Sequence, residues 1–272
     1  MSAHGLPTTA SPEGDIELSA LVVAHDEEAN LPDCLERLRF ADEIVVLLDR
    51  CSDGSRAVAE RFGARILEGA WPQEGERRNT GIAACRGRWI LEIDADERLH
   101  PDLAALIRRS LPTLPAGHVL MPIDNLIGAR RIVHGWVHPI GNSRRNTMFS
   151  RGTKSWGAGQ VHPEIRLSGT QTRLGEDLPP GHRIDHLVDR DIADFVARID
   201  RYSSAMARDW RARGISIGFP RALRKGLTRA LKSYTRRSGW REGRWGLFLA
   251  SMACFCMLLT FFKTRLEQNG PR

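Results

Sequence analysis

The sequence predicts an α/β protein in which helices cover both faces of a mostly parallel sheet. Short apolar runs alternate with segments of helical periodicity in the first part of the chain. Strands that are apolar throughout are typical of parallel sheets buried on both sides. Three of these runs end in acidic residues. Neither Gly-x-Gly-x-x-Gly nor Gly-x-x-x-x-Gly-Lys follows the first run, which argues against a dinucleotide-binding fold and against a P-loop.

The predicted elements follow one another in a regular order. Apolar runs predict strands at residues 18–24, 44–48, 64–67 and 89–97. Helices are predicted after the capping residue Asn30, after Ser55, over residues 74–86 and from Pro101. Ligands of parallel sheets bind beyond the carboxyl ends of the strands. The acidic residues that follow these strands are therefore expected to line one binding site.

Residues 89–97, Trp-Ile-Leu-Glu-Ile-Asp-Ala-Asp-Glu, end an apolar run with three carboxylates. Read as one strand, the stretch has a side-chain period of two, which places Asp94 and Asp96 on the same face. Two carboxylates on one face suit Mg²⁺ or Mn²⁺, because both ions prefer oxygen ligands. The alternative is an acidic loop after a core strand.

Four motifs at these positions resemble those of a known family. They are Val-Val-Ala-His-Asp-Glu-Glu at residues 22–28, Asp-Arg-Cys-Ser-Asp-Gly-Ser at 49–55, Arg-Asn-Thr-Gly at 78–81 and Asp-Ala-Asp at 94–96. In this order they resemble the motifs of the metal-dependent glycosyltransferases of family 2, which have a nucleotide-binding GT-A fold. The family usually has threonine where this chain has Ala24 and asparagine where it has Asp26.

The resemblance implies a donor site at the strand ends. The residues that it places on the nucleotide-sugar are Ala24, Glu27, Asp49, Arg78 and Asp94. Asp49 and Arg78 would contact the nucleobase, and Asp94 would contact the ribose or the metal. Asp96 would bind the metal, Mg²⁺ or Mn²⁺. An arginine on a helix is also often solvated, and this alternative for Arg78 stays open.

The second half of the chain resembles a narrower subgroup of the family. Val-His-Pro-Glu at residues 161–164 is similar to the Val-His-Glu element of the lipopolysaccharide core glycosyltransferases that add glucose to heptose. The similarity continues through His186 and through residues 191–195 and 201–203. An inverting transfer needs a carboxylate that takes the proton from the attacking hydroxyl. Glu164 is the first candidate for this base, and Asp177, in a Glu-Asp pair like that of many family members, is the alternative.

Basic and aromatic residues of the second half form a candidate acceptor site. Residues 130–136 and the pair at 144–145 supply guanidinium groups and an indole ring. This combination suits a phosphorylated or sugar acceptor. The predicted acceptor-binding residues are Trp136, Arg144 and His162. Trp136 could equally belong to the hydrophobic core.

Composition suggests how the chain is divided. Residues 1–14 are rich in Ser, Thr, Pro and Gly and lack the apolar core of a signal peptide, so a flexible tail is predicted. The five cysteines have no metal-ligand spacing, and their odd number fits a reducing cytosol. A GT-A catalytic domain is predicted at 15–190, a basic helical region at 191–244, and an apolar membrane-associating helix with its tail at 245–272.

The predicted basic region holds the positive charge of the chain. Residues 208–244 contain twelve arginines or lysines and two acidic residues, a net charge of +10 against +7 for the whole chain. Nucleic acid is not the expected partner, because an uncharged apolar run follows at 245–262. Basic residues beside such a helix indicate an anionic membrane surface. The helix could lie in the leaflet, belong to the core, or span the bilayer, for which its eighteen residues are short.

These features predict an inverting, metal-dependent glycosyltransferase. The expected reaction moves a hexose from a nucleotide-sugar, UDP-glucose, to a lipid-linked saccharide such as a lipopolysaccharide inner core. The expected location is the cytoplasmic face of the inner membrane, peripheral or with one C-terminal membrane helix. The alternatives are a transferase for another cell-envelope glycan or glycolipid, a sugar-phosphate nucleotidyltransferase, and a catalytically inactive, membrane-bound interaction module. A nucleotidyltransferase would carry a glycine-rich loop with a basic residue after the first strand, and residues 25–28 do not form one.

Overall fold

The computed structural model describes residues 16–138, 140–157 and 164–266. The predicted tail at 1–14 and residues 267–272 of the predicted last segment lie outside the described residues. The strands are β1 (Leu18–Ala24), β2 (Glu43–Asp49), β3 (Arg65–Gly69), β4 (Trp89–Asp94), β5 (Glu97–Leu99), β6 (Gly117–Ile127), β7 (Arg130–Ile132), β8 (Arg144–Ser150), β9 (Lys154–Trp156), β10 (Ile165–Leu167), β11 (Thr170–Arg173) and β12 (Ile184–Asp189). The helices are α1 (Leu31–Glu36), α2 (Ser55–Arg61), α3 (Glu74–Ala84), α4 (Pro101–Ser110), α5 (Ile192–Ala212), α6 (Phe219–Leu231) and α7 (Arg244–Leu266).

The main sheet has the strand order β3-β2-β1-β4-β8-β6-β12-β5. Strands β3, β2, β1 and β4 are parallel to one another, and β12 is parallel to β6. Strand β8 is antiparallel to both β4 and β6. Every residue of β1 is buried, as expected for a central strand that is covered on both faces. The predicted fold class, a mostly parallel sheet with flanking helices, is confirmed.

The predicted strand at 89–97 is wrong in one respect. β4 ends at Asp94, the chain turns, and β5 begins at Glu97. The buried carboxylate of Glu97 accepts a hydrogen bond from the backbone N–H of Asp94 at 3.0 Å and so closes the turn. Asp94 and Asp96 therefore do not share one face of a strand, and Asp96 reaches its position from the turn.

Two hydrophobic clusters cover the two faces of the sheet. Leu35 of α1, Val58 of α2 and Leu103 of α4 belong to the cluster on one face. Phe149 of β8 belongs to the cluster on the other face, and Ile82 of α3 packs against that cluster. These clusters fix the direction in which the carboxyl ends of β1, β2 and β4 project.

A third cluster joins the C-terminal helices to the second half of the sheet. It contains Trp136 from the segment after β7, Phe195 from α5 and Leu249 from α7. The helices predicted as a separate basic region and apolar segment therefore share a core with the predicted catalytic domain, whose boundaries stay predictions.

Helix α7 is buried on one side only. Among residues 16–138, 140–157 and 164–266 it is the helix long and apolar enough to cross a membrane, and 44% of its most apolar stretch is buried inside the protein. The buried face includes Leu249, Ala253 and Cys256. The exposed apolar side chains are Leu247, Phe255, Phe262 and Leu266. They fall within an arc of about 100° on the helix, opposite the buried face.

Candidate active site

The loops after β1 and β2 meet at one edge of the sheet and are cross-linked by carboxylates. Asp26 has a left-handed backbone with φ 53°. One of its oxygens accepts hydrogen bonds from the backbone N–H groups of Ser52 (2.6 Å) and Asp53 (3.3 Å). Asp53 in turn accepts from the N–H of Glu28 at 2.8 Å. Asp26 thus holds the two strand ends together.

Asp49 is buried and carries several hydrogen bonds. Its carboxylate accepts from the guanidinium groups of Arg50 (2.9 and 3.0 Å) and Arg77 (3.0 Å) and from the N–H of Trp71 (3.2 Å). Burial alone would raise the pKa of Asp49, but these donors hold it below its ordinary value. Asp49 is therefore a fixed negative charge at the end of β2. Its predicted contact with a nucleobase stays a prediction.

Arg78 lies inside a network of carboxylates and is not a solvated helix residue. It projects from α3 and donates to Glu92 at 2.6 Å, to Asp94 at 3.1 Å and to Glu74 at 3.1 Å. Its guanidinium carbon lies 4.9 Å from the ring centre of Trp156. Burial alone would lower the pKa of Arg78, but the carboxylates raise it well above its ordinary value.

Asp94 has both carboxylate oxygens bound by arginines. Arg78 donates to one oxygen, and Arg145 of β8 donates to the other at 2.6 Å. Arg145 also donates to Glu97 at 2.5 Å, so its guanidinium joins the two ends of the turn. Burial alone would raise the pKa of Asp94, but Arg145 and Arg78 hold it well below its ordinary value. This carboxylate is an ionised, positioned group.

Asp96 lies directly beside His186 of β12, at the wall of a cavity. The Oδ2 atom of Asp96 lies 3.4 Å from Nε2 of His186, and Nδ1 of His186 lies 3.1 Å from Oδ1 of Asn125. These residues and Arg145 line a cavity of about 350 Å³. Burial alone would lower the pKa of His186, but Asp96 raises it.

Asp96 and His186 suit a divalent cation better than Asp94 does. Two ligand atoms 3.4 Å apart have the spacing expected when both bind one ion at roughly 2.1 Å. The other ring nitrogen of His186 contacts the side chain of Asn125, which fixes the orientation of the ring, as is usual for histidines that bind metals. Both oxygens of Asp94 are already bound by guanidinium groups. The role of Asp94 as a second metal ligand stays a prediction.

The hairpin β9–β10 is fixed to α3 by Asn79. The side-chain amide of Asn79 donates to the carbonyl of Trp156 at 2.8 Å and accepts from its N–H at 2.9 Å. This places Trp156 over Arg78 and brings Lys154 within 2.5 Å of Glu92. The Arg-Asn-x-Gly motif therefore supplies the buried cation Arg78 and the side chain of Asn79, which holds the hairpin against α3.

We expect Asn79→Ala to lower the free energy of unfolding by about 2 kcal/mol, because two hydrogen bonds to the hairpin are lost. Chemical denaturation measures the change. Thr80→Ala is the matched control on the same helix, since the Thr80 hydroxyl donates to the carbonyl of Glu76 within α3 and not to the hairpin. Equal stability of the two variants would show that the hairpin is held by other contacts.

The two candidate bases lie on different segments. Glu164 is exposed over 73% of its side chain and lies directly before β10, where its carboxylate is 3.6 Å from Arg166. Asp177 is exposed after β11. Beside it, Glu176 forms an ion pair with Arg144 at 3.0 Å. Neither carboxylate belongs to the network around Asp94, so the choice between them stays a prediction.

The predicted acceptor residues have different surroundings. Trp136 is 2% exposed, and its indole N–H donates to the carbonyl of Ile132 at 2.6 Å. Its ring belongs to the third cluster, although part of it also lines two cavities. Arg144 is half-exposed and lines the same cavities. His162 lies outside the described residues.

Ala24 and Glu27 are two further residues that were predicted to contact the nucleotide-sugar. Ala24 is the buried last residue of β1. The backbone N–H of Glu27 donates to the hydroxyl of Ser55 at 3.0 Å, and its carboxylate accepts from the amide of Asn30 at 2.7 Å. Burial raises the pKa of Glu27. Both residues lie at the edge where the resemblance places the nucleotide-sugar.

Several residues of this site were not singled out from the sequence. They are Glu92, Asn125 and Lys154. Glu97 and Arg145 were noted from the sequence, as a carboxylate after the strand and as a candidate acceptor cation, but not for their contact with each other. One signal was available: Glu92 interrupts an otherwise apolar strand, and a buried carboxylate requires a cationic partner. The identity of that partner depends on the fold, because Lys154 is 62 residues away along the chain.

The sheet with its acidic strand ends fits a glycosyltransferase domain, and the comparison with known families agrees. Residues 19–149 match the model of the glycosyl transferase family 2, and the chain therefore carries a domain of that family. Over 263 residues it is 27% identical to the lipopolysaccharide core biosynthesis glycosyltransferase LpsC of Rhizobium meliloti, covering 91% of this chain and 92% of LpsC. The predicted family is confirmed, and LpsC supports the predicted subgroup.

Other similar proteins share only part of the chain. A TPR repeat-containing protein of Synechococcus elongatus is 38% identical over 85 residues, which cover 30% of this chain and 21% of that protein. Among solved structures, glucosyl-3-phosphoglycerate synthase from Mycobacterium tuberculosis, in complex with Mn²⁺, UDP and glucosyl-3-phosphoglycerate, is 20% identical with a TM-score of 0.38. That likeness covers 50% of this chain and 57% of the synthase chain.

Proposed function

We propose that the protein is an inverting, metal-dependent glycosyltransferase that moves a hexose from UDP-glucose to a lipid-linked saccharide such as a lipopolysaccharide inner core. The observation that carries the proposal is the pair Asp96 and His186, which faces an open cavity beside the arginine-bound Asp94. The full-length similarity to LpsC supports the acceptor class.

The donor would bind at the carboxyl ends of β1, β2 and β4. Asp96 and His186 would hold Mg²⁺ or Mn²⁺, which offsets the charge of the departing diphosphate. Asp94 would accept from the ribose while Arg145 and Arg78 keep it ionised and oriented. Asp49, Ala24 and Glu27 would contact the nucleoside from the neighbouring strand ends.

The acceptor would approach from the side of β8 and the β9–β10 hairpin. In the reaction, Glu164 takes the proton of the acceptor hydroxyl as its oxygen attacks the anomeric carbon, and the nucleoside diphosphate leaves from the opposite face. A cavity of about 270 Å³ lies between these elements and is lined by Arg144, Arg145, Trp156 and Ile165. Trp136, Arg144 and His162 would position the acceptor, and Asp177 is the alternative base.

Attachment to the cytoplasmic face of the inner membrane would bring the enzyme to a lipid-linked acceptor. The exposed side of α7 and the basic residues of α6 support docking to an anionic lipid surface. Because the opposite side of α7 is packed in the third cluster, the proposal is a helix that lies on the leaflet and does not cross it.

We expect Glu164→Gln to lower transfer about a thousandfold, because a positioned base contributes two to four orders of magnitude. Donor binding should persist, since Glu164 lies on the acceptor-side hairpin. Transfer from a panel of nucleotide-sugars to inner-core lipopolysaccharide, with Mn²⁺, measures the first effect. Thermal stabilisation by UDP with Mn²⁺ measures the second.

Asp177→Asn is the matched control, and it should keep near wild-type transfer. The opposite pattern, in which Asp177→Asn is inactive and Glu164→Gln active, would assign the base to Asp177. If wild-type protein neither transfers nor hydrolyses any nucleotide-sugar of the panel, the proposed function is wrong.

A further inference from the structure

Two adjoining cavities beside the candidate active site have many more cations than carboxylates in their linings. Their volumes are about 290 and 330 Å³, and they share Trp136, Ser143, Arg144 and Arg237. We call them together the basic cavity. Its cationic lining consists of Arg144, Arg183, Arg229, Lys232, Arg236 and Arg237. Glu176 is the one carboxylate in the linings.

The negative charge available inside the protein does not balance these cations. Glu176 is already paired with Arg144 at 3.0 Å, and Arg183 lies 3.6 Å from Asp124. Within the described part of the chain, no hydrogen bond or ion pair involves the side chains of Arg229, Lys232, Arg236 or Arg237. A concave surface with such an excess of one charge attracts counter-ions of the opposite sign.

Arg229 is the clearest sign that the cavity lacks a partner. One of its terminal nitrogens, Nη1, is buried and has no acceptor among the described residues. Burial lowers the pKa of Arg229, because no carboxylate compensates for the lost solvent. An uncompensated buried donor is costly. Arg229 lines one of the two cavities, so an anion bound there would offset this uncompensated charge.

The basic cavity adjoins the candidate active site through β8. Arg144 lines both cavities and also the 270 Å³ cavity beside Arg78 and Trp156. The next residue, Arg145, donates to Asp94. Arg144 and Arg145 are neighbours in the chain and both line the 270 Å³ cavity, so the basic cavity and the network around Asp94 meet at the start of β8.

We propose that the basic cavity binds a phosphate group of the acceptor saccharide, and so holds a nearby hydroxyl at the reaction centre. Several guanidinium groups around one cavity suit the three or four oxygens of a phosphate, to which each can donate two hydrogen bonds. The assignment to the acceptor rests on the proposed function. The binding of a phosphate does not rest on the proposed function, because it requires neither the nucleotide-sugar donor nor glycosyl transfer.

The first test measures anion binding directly. Wild-type protein is titrated with pyrophosphate and with glucose 6-phosphate at low ionic strength by calorimetry. Lys232→Gln with Arg237→Gln should weaken both affinities about tenfold or more, because two charge-assisted contacts are removed. Arg221→Gln with Arg224→Gln is the matched control: it removes two exposed charges from the same region that line neither cavity, and it should change the affinities less than about twofold.

Two results of this titration would overturn the proposal. One is the absence of saturable binding to the wild-type protein. The other is an equal loss of affinity in the two double variants, which would mean that overall charge and not the cavity attracts the anion. A loss confined to Lys232→Gln with Arg237→Gln supports the proposal.

The second test separates the two sources of a phosphate. The KM for a phosphorylated inner-core acceptor should rise about tenfold in Lys232→Gln with Arg237→Gln, and the KM for the enzymatically dephosphorylated acceptor should not. Sedimentation with phosphatidylglycerol vesicles is compared in parallel. A variant that loses vesicle binding but keeps both KM values would make the cavity a lipid-headgroup site and overturn the assignment. Donor hydrolysis, which needs no acceptor, reports independently on the proposed function.

Discussion

Asp96→Ala is expected to abolish glycosyl transfer, with a loss of at least about a thousandfold, because the proposed cation would lose its carboxylate ligand. The fold should be unaffected, since the Asp96 side chain is about one-third exposed and its described partner is His186 at 3.4 Å. Transfer assays with Mn²⁺ measure the first effect, and calorimetric Mn²⁺ binding in the presence of UDP shows whether the ion is lost.

Asp94→Asn provides a contrast, because Asp94 is held by two arginines whereas Asp96 is the proposed metal ligand. It removes a charge that Arg78 and Arg145 compensate, so it should lower the free energy of unfolding by about 2 kcal/mol. Asp209→Ala, at an exposed ion pair on α5, should change neither stability nor transfer. Unchanged turnover in Asp96→Ala would show that Asp96 is not a metal ligand.

Replacement of Leu247, Phe255 and Phe262 by serine is expected to release the protein from anionic vesicles. These side chains are 62%, 43% and 49% exposed on one side of α7. Each apolar side chain that inserts into a membrane contributes about 1.5 kcal/mol or more, so the triple variant should partition at least about a hundredfold less. Sedimentation with phosphatidylglycerol vesicles measures the loss.

The matched control for this surface keeps its apolar character. Leu247→Met, Phe255→Leu and Phe262→Leu together should sediment with vesicles as the wild type does. Deletion of residues 243–272 is a poorer test, because it also removes Leu249 and Cys256 from the third cluster. If the serine variant sediments like the wild type, docking through α7 is wrong.

The sequence predicted the parallel half of the sheet well, for a physical reason. Runs buried on both faces are apolar at nearly every position, so β1 was predicted at its observed bounds, and β2 to within one residue at each end. The acidic strand ends were predicted together because parallel strands share a carboxyl edge. The turn after Asp94 was missed, since it depends on the side chain of Glu97 folding back to the N–H of Asp94.

The rest of the site depends on contacts between distant segments. Arg145 lies 51 residues from Asp94 along the chain, and Lys154 lies 62 residues from Glu92. No local pattern encodes these pairs. Helix α7 shows the same limit, because a helix that is apolar on every side has no periodicity to mark its buried face.

The third cluster has a consequence for where the reaction can occur. Trp136, Phe195 and Leu249 pack in one core, so the segment that precedes the candidate acceptor cations is packed directly against α7. In a protein docked through the exposed side of α7, the height of the reaction centre above the lipid would be set by packing and not by a flexible tether. The enzyme would then select among acceptor hydroxyls by their distance from the membrane.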